Sequence, residues 1–181
     1  MSENNPGVKL NITDCSVSFE SIYNADTTPQ EYIEQIKEAN VLIIPNNNRY
    51  GEKGVHFPET TREFYHYLKQ KNTDGMIADI AISDSEFQML EMHSDFIVIA
   101  TMIVTNLVFP VVSGLITNFI YDKLKSEHKN PEEVVAKLEI IVEDKKNRSN
   151  KRISYEGPTS EIQNVLNETN KLLRNASKNN E

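Results

Sequence analysis

Two acidic side chains, Asp84 and Glu86, have the spacing and the setting of a metal or acid/base site. They follow an apolar run at 76–82, which we interpret as a central strand, and they open the motif Ser83-Asp84-Ser85-Glu86. Carboxylates at the end of a strand can hold a metal ion or exchange protons with a substrate. The same motif is also a capping box, and a helix favours acids in its first turn. We favour the cap and keep a metal-dependent hydrolase as an alternative function.

A polar loop at 46–58 is the best candidate for contact with a ligand. It reads NNNRYGEKGVHFP and follows the apolar run 41–44, which ends at Pro45 and is typical of a buried parallel strand. In open α/β sheets, ligands bind beyond the carboxyl ends of such strands. The expected ligand contacts are Asn46, Asn47, Asn48, Arg49 and Tyr50. An ordinary solvated loop is the alternative, since the chain has neither G-x-G-x-x-G nor the Walker lysine motif.

The remaining chemistry-bearing residues do not form a recognisable set. His56 and His66 have no histidine partner at helical spacing, and Cys15 is the single cysteine, which excludes an internal disulfide and favours a reducing compartment. The net charge of −8 argues against nucleic acid as a partner. We therefore expect no cofactor, no catalytic residues and no metal. The favoured function is a non-enzymatic α/β protein that binds a ligand or associates, and a subunit of a prokaryotic stress or defence system suits this design.

The most apolar part of the chain is the segment 96–121, which contains no Asp, Glu, Lys, Arg or His. We predict one long, strongly apolar helix over about 101–125. Such a helix can cross a bilayer, which requires roughly 20 apolar residues. It can also be covered by protein, either within the fold or against another copy of the chain. The favoured location is cytoplasmic, because the chain begins without a signal-peptide pattern, and a single-pass membrane protein is the alternative.

Small and polar residues on one side of the predicted helix favour burial against protein. On a 3.6-residue repeat they share one broad side, opposite an apolar side. The residues expected at a close helix interface, in protein or in lipid, are Asn106, Pro110, Ser113, Gly114, Thr117 and Asn118. Acidic residues precede the segment and basic residues follow it, so a spanning helix would place the first 95 residues outside the cell. Self-association through this helix is favoured, and a membrane-acting effector is the alternative.

The pattern around these residues predicts an α/β fold. In the N-terminal half we expect strands at 8–12, 16–22, 41–44 and 76–82, the first two as a hairpin, and helices at 28–39, 59–71 and 83–93. Strict alternation over 137–143, followed by a charged turn and a strand at 152–155, predicts a second hairpin, and an amphipathic helix follows at 159–173.

These elements combine into a small layered sheet with parallel central strands, a C-terminal β-hairpin and packed helices. We divide the chain into an N-terminal α/β layer at 1–94, the apolar helical segment at 95–126, and a hairpin with a helix at 127–181. The three parts are expected to form one folded unit.

Overall fold

The computed structural model describes residues 7–47, 55–71, 75–91 and 95–178. Within these ranges the strands are β1 (Lys9–Asp14), β2 (Val41–Ile43), β3 (Asn46–Asn47), β4 (Val55–Pro58), β5 (Ala78–Ile80), β6 (Met89–Leu90), β7 (Phe96–Val98), β8 (Met102–Thr105), β9 (Val135–Asp144) and β10 (Ser149–Pro158). The helices are α1 (Phe19–Tyr23), α2 (Ile33–Glu38), α3 (Thr61–Gln70), α4 (Phe109–Ser126) and α5 (Ile162–Lys178), with 3-10 turns at Gln30–Tyr32 and Thr159–Glu161.

Seven of the described strands form one mixed sheet in the order β1-β10-β9-β8-β2-β5, with β7 also paired to β9. The pairs β2–β5, β7–β9 and β8–β9 are parallel, and the others are antiparallel. The short strands β3, β4 and β6 make a separate small sheet. The predicted mixed α/β architecture is confirmed. The strand expected at 76–82 lies at the edge of the sheet as β5 and not at its centre.

The β9–β10 hairpin packs one face against the main core because its sequence alternates. Leu138, Ile140 and Val142 of β9 are buried in the same cluster as Ile153 and Tyr155 of β10. That cluster also contains the buried side of α4 and part of α5. Every residue of β9 is at least half-buried, which reflects its central position. The predicted C-terminal hairpin is confirmed, and its two strands are longer than expected.

The opposite face of the sheet has a smaller cover. Ile141 of β9, Ile103 of β8 and Leu42 of β2 are buried in a cluster with Phe19 of α1 and Ile36 of α2. The rest of that face, over β1, β10 and the first half of β9, carries polar side chains. Within the described residues, no helix packs on this part, which we call the open half of the sheet.

The apolar segment 96–121 is not one long helix. It contains β7 and β8, and only from Phe109 does it form α4, with Pro110 in the first turn. The helix predicted over about 101–125 is therefore wrong at its beginning, because 102–105 forms a strand that pairs with both β2 and β9. A uniformly apolar run has no periodicity to separate a buried strand from a buried helix. Among the described residues, none of the helices has the length and apolarity needed to span a bilayer.

Two further predicted elements are wrong for local reasons. The alternating segment 16–22 forms α1, because Ser18 and Ser21 make a reciprocal cap. The hydroxyl of Ser18 accepts from the Ser21 N–H at 3.1 Å, and the hydroxyl of Ser21 accepts from the Ser18 N–H at 2.9 Å. The predicted N-terminal hairpin is absent, since β1 pairs with β10. The helix expected at 83–93 is replaced over 83–91 by a turn that leads into β6, and residues 92 and 93 lie outside the described residues.

The other predicted helices are present with changed bounds. The segment 28–39 contains a 3-10 turn followed by the short α2, so its regular part begins later than predicted. The helix at 59–71 is confirmed as α3, whose Phe64 and Leu68 are fully buried. The C-terminal amphipathic helix is confirmed as α5.

Candidate functional site

A row of polar side chains crosses the open half of the sheet. The strand registers place Asn11 of β1 opposite Ser154 of β10, and Ser154 opposite Glu139 of β9. Opposed residues in a sheet share a face, so these side chains are neighbours. Thr101, just before β8, donates its hydroxyl to Oδ1 of Asn46 at 3.0 Å. All five residues line one cleft of about 440 Å³, which we call the sheet cleft.

A charged row lies beside the polar one. Lys9 is opposite Glu156, and Glu156 is opposite Lys137. The Glu156 carboxylate lies 3.3 Å from the Lys9 ammonium and 3.6 Å from that of Lys137. Partial burial alone would raise the pKa of Glu156, but the two lysines lower it by more, so the group is held below its ordinary value. These pairs are partly exposed and therefore easily rearranged.

Glu139 is the buried charge on the floor of the sheet cleft. Its residue is only 5% exposed. Nη1 of Arg152 donates to Oε1 at 2.9 Å, and the Ser154 hydroxyl donates to Oε2 at 3.4 Å. A buried carboxylate is costly unless it is paired, and Arg152 supplies that partner. An ionised carboxylate only accepts hydrogen bonds, so Glu139 adds a negative, accepting group to the floor of the sheet cleft.

The alternation of β9 explains how the chain presents these groups. Lys137 and Glu139 alternate with Leu138 and Ile140, so the core side of the strand is apolar and the cleft side is charged. The remaining lining residues are Leu10, Val98, Ile99, Leu138 and Tyr155. The side chains of Leu138 and Tyr155 belong to the core on the other face, so these two residues border the cleft with their backbone. Cleft volumes of this size are typical of small-molecule sites. The arrangement can bind a small molecule that offers several hydrogen-bonding groups.

Only one of the loop residues predicted to contact a ligand is seen in the sheet cleft. Asn46 lines it and accepts a hydrogen bond there from Thr101. Asn47 follows in β3, where its backbone pairs with Val55. The other three predicted contacts lie outside the described residues: Asn48, Arg49 and Tyr50.

Asp84 and Glu86 are exposed and do not line the sheet cleft. The Ser83 hydroxyl donates to a Glu86 carboxylate oxygen at 3.1 Å, and the Glu86 N–H donates to the Ser83 carbonyl at 3.1 Å. The two acids therefore belong to a turn. Across the described ranges, no three His, Cys, Asp or Glu side chains converge in a way that would hold a metal ion.

The residues predicted at a helix interface are divided between the inside and the outside of the protein. Ser113 and Thr117 are buried, Asn106 and Pro110 are half-buried, and Gly114 and Asn118 are exposed. The Ser113 hydroxyl accepts a hydrogen bond from the Asn170 amide of α5 at 2.8 Å. The close helix contact made by Ser113 is therefore internal, between α4 and α5.

Sequence reasoning missed Glu139, Ser154 and Asn11 as site residues, although one signal was present. The alternation at 137–143 already separates Glu139 from the core side of its strand. The pairing of β1 with β10, which brings Asn11 beside Ser154, has no such local signal. No protein-family model matches the chain, and no curated protein or solved structure is significantly similar to it. Function is therefore argued from the sheet cleft itself.

Proposed function

We propose that the protein is a non-enzymatic binding protein whose ligand, a small polar molecule, occupies the sheet cleft. The observation that carries this proposal is Glu139, a buried carboxylate fixed by Arg152 on the floor of the sheet cleft. A buried ion pair is a weak source of stability, since apolar residues of similar volume often stabilise a fold as well or better. A binding role gives the pair a reason to be there.

The charges around the cleft limit the chemistry of the ligand. Lys9, Lys137 and Arg152 bring three positive charges, and Glu139 and Glu156 bring two negative ones. Counting the described residues only, the cleft thus carries one excess positive charge in a chain whose net charge is −8. This balance favours a neutral ligand or one with a single negative charge over a cation.

The polar row defines the rest of the ligand. Asn46, Thr101, Ser154 and Asn11 are neutral groups that both donate and accept hydrogen bonds, and Glu139 only accepts. A ligand with hydroxyl or amide groups satisfies both kinds of partner. We propose such a ligand.

The alternative functions have less support in this architecture. A metal-dependent hydrolase would use Asp84 and Glu86, which are exposed in a turn away from the cleft. A membrane-acting effector would use a helix over 96–121, a segment that forms two strands of the sheet before α4 begins. The acidic groups of the cleft are already engaged by basic partners, an arrangement that suits binding more than proton transfer.

The test is a nuclear magnetic resonance titration with a panel of small hydroxyl- and amide-bearing molecules that are neutral, monoanionic or cationic. We expect neutral or monoanionic members to shift the amide signals of Asn46, Thr101 and Ser154. Replacing Ser154→Trp places an indole in the sheet cleft and should abolish those shifts. An aromatic residue is well tolerated on a pleated surface, so the fold should persist.

The matched control is Gln163→Trp, which adds the same side chain at an exposed position on α5. It should leave the titration unchanged. The proposal fails if no member of the panel shifts the cleft amides, or if Ser154→Trp binds as the wild-type protein does. Preferential binding of the cationic members would overturn the charge argument.

A further inference from the structure

We infer that two copies of this chain pair through β1 and join their sheets edge to edge. Among the described strands, β1 forms one edge of the seven-stranded sheet. It pairs with β10 in unbroken register, from Lys9 opposite Glu156 to Asp14 opposite Lys151. Five of its six residues are exposed and the sixth is half-buried. A regular, exposed edge strand is a template for pairing with another strand.

The opposite edge of the sheet is protected, and this contrast strengthens the inference. There β5 is only three residues long. The Asp79 carboxylate of β5 accepts a hydrogen bond from the Ile80 N–H at 2.8 Å and another from the Gln35 amide at 2.8 Å. Short edges and inward-held charges are common means of blocking edge pairing. β1, by comparison, carries charges only at its ends, on Lys9 and Asp14.

The hydrogen-bond pattern of β1 determines how a second strand can pair with it. The Cys15 N–H donates to the Asn150 carbonyl at 3.0 Å, which continues the register of the β1–β10 ladder. Hydrogen-bonded pairs alternate along an antiparallel ladder, so the odd-numbered residues bond to β10. The backbone groups of Leu10, Ile12 and Asp14 therefore point to the free edge. In a second copy, the even-numbered residues of β1 must therefore form hydrogen bonds with Leu10, Ile12 and Asp14 of the first.

One register satisfies this rule and also matches the side chains. It places Asn11 opposite the partner's Asn11 on a two-fold axis perpendicular to the sheet. Leu10 is then opposite the partner's Ile12, and Lys9 is opposite the partner's Thr13. Leu10 is 40% exposed in the single copy, and this pairing covers it. The two-fold axis repeats the apolar pair of Leu10 with Ile12, so two such pairs lie on the core face. The pairs that involve Lys9, Asn11 and Thr13 are polar and lie on the cleft face.

This pairing would complete the sheet cleft on its β1 side. Lys9, Leu10 and Asn11 line the cleft there. The partner's Asn11 extends the polar row across the two-fold axis and joins the two clefts. This consequence rests on the proposed function, whereas the pairing of β1 does not. If a ligand bridges the joined clefts, ligand binding and dimerisation strengthen each other by the same factor.

Disulfide trapping of the full-length protein, without ligand, tests the register. In a Cys15→Ser background, Asn11→Cys places two thiols opposite each other in a non-hydrogen-bonded pair, where the Cα atoms are about 4.5 Å apart. That separation suits a disulfide. In the same register, Thr13 lies opposite the partner's Lys9. The two Thr13 residues are therefore four positions apart along the paired strands, a separation of about 13 Å. Thr13→Cys in the same background is therefore the matched control.

We expect mild oxidation to convert the Asn11→Cys protein to a covalent dimer at least tenfold faster than the Thr13→Cys protein. Equal rates would indicate random collision and would overturn the inference, as would the absence of a dimer in both.

Sedimentation of a second pair of variants tests the edge without relying on cysteine chemistry. Leu10→Pro removes an N–H that points away from β10, and proline is tolerated on edge strands. Leu10→Ala trims the side chain and keeps the N–H. We expect Leu10→Pro to weaken dimerisation at least tenfold more than Leu10→Ala. A wild-type protein that sediments as a monomer at all concentrations would contradict pairing, and it would leave the Ser154→Trp titration unaffected.

Discussion

Gly114 and Gly157 differ in the space that is available for a side chain. Gly114 lies on the exposed side of α4, and a Cβ there would meet nothing within 4 Å. A Cβ on Gly157 in β10 would lie 2.9 Å from the Tyr155 hydroxyl oxygen and 3.2 Å from Cα of Val8. The Tyr155 hydroxyl donates to the Pro158 carbonyl at 2.7 Å, so it cannot move without losing that bond. The sequence does not show which of these two glycines lies in a tight contact.

Alanine substitutions at the two positions should have opposite effects. Gly114→Ala should raise the free energy of unfolding by about 0.5–1 kcal/mol, because alanine is the better helix former. Gly157→Ala should lower it by about 1–3 kcal/mol, because the added methyl overpacks the contact with Tyr155. Urea unfolding at pH 7 measures both. A destabilised Gly114→Ala protein that also loses association would instead indicate an interface on α4.

At the scale of elements, sequence patterns succeed where polar and apolar residues alternate and fail where they do not. The hairpin of β9 and β10 follows from the alternation at 137–143. The segment 96–121 has no charged residue to mark the boundaries of its elements, so two strands and a helix resemble one helix. The alternation at 16–22 was misleading because the Ser18–Ser21 cap forms a helical turn there. Asn46 was predictable from its place after β2, but its contact with Thr101 depends on the fold.

The turn of the β9–β10 hairpin is organised by Asp144. Its carboxylate accepts from the backbone N–H and side-chain amide of Asn147, at 3.1 and 2.8 Å, and from the Ser177 hydroxyl of α5 at 3.2 Å. Burial alone would raise the pKa of Asp144, but these hydrogen bonds and one from the Lys146 backbone lower it by more. The charged carboxylate thus connects the hairpin turn to the end of α5.

Asp144→Asn should destabilise the protein by about 1–3 kcal/mol at pH 7, the range for a hydrogen-bonded charged group. Because the folded-state pKa is depressed, this contribution is present above the unfolded pKa of about 4 and is lost as the pH falls through the lower folded value. The difference between wild type and variant should therefore shrink at pH 3, as measured by urea unfolding. Asp14→Asn, at an exposed ion pair with Lys151, is the control and should stay near wild-type stability at both pH values.

At the scale of the whole molecule, strands from distant parts of the sequence alternate in one sheet. β8 lies between β2 and β9, and β1 lies at the edge beside β10. The principal core draws on β2, β8, β9, β10, α3, α4 and α5 together. Such pairings join residues that are far apart in the chain, such as Asn11 and Ser154, and local patterns do not contain them. The sheet cleft is built from these long-range pairings, so its residues could not be assembled from the sequence alone.

The N-terminal part of the chain, residues 1–126, should not fold without the rest. The fragment 1–126 lacks β9 and β10, so β1 loses its neighbour and the buried side of α4 loses much of its cover. We expect this fragment to show no cooperative unfolding transition by circular dichroism. Co-expression with the fragment 127–181 should restore one transition, because the missing central strands are supplied in trans. Cooperative unfolding of the 1–126 fragment by itself would mean that the N-terminal part holds a core of its own, and the chain would then contain separable domains.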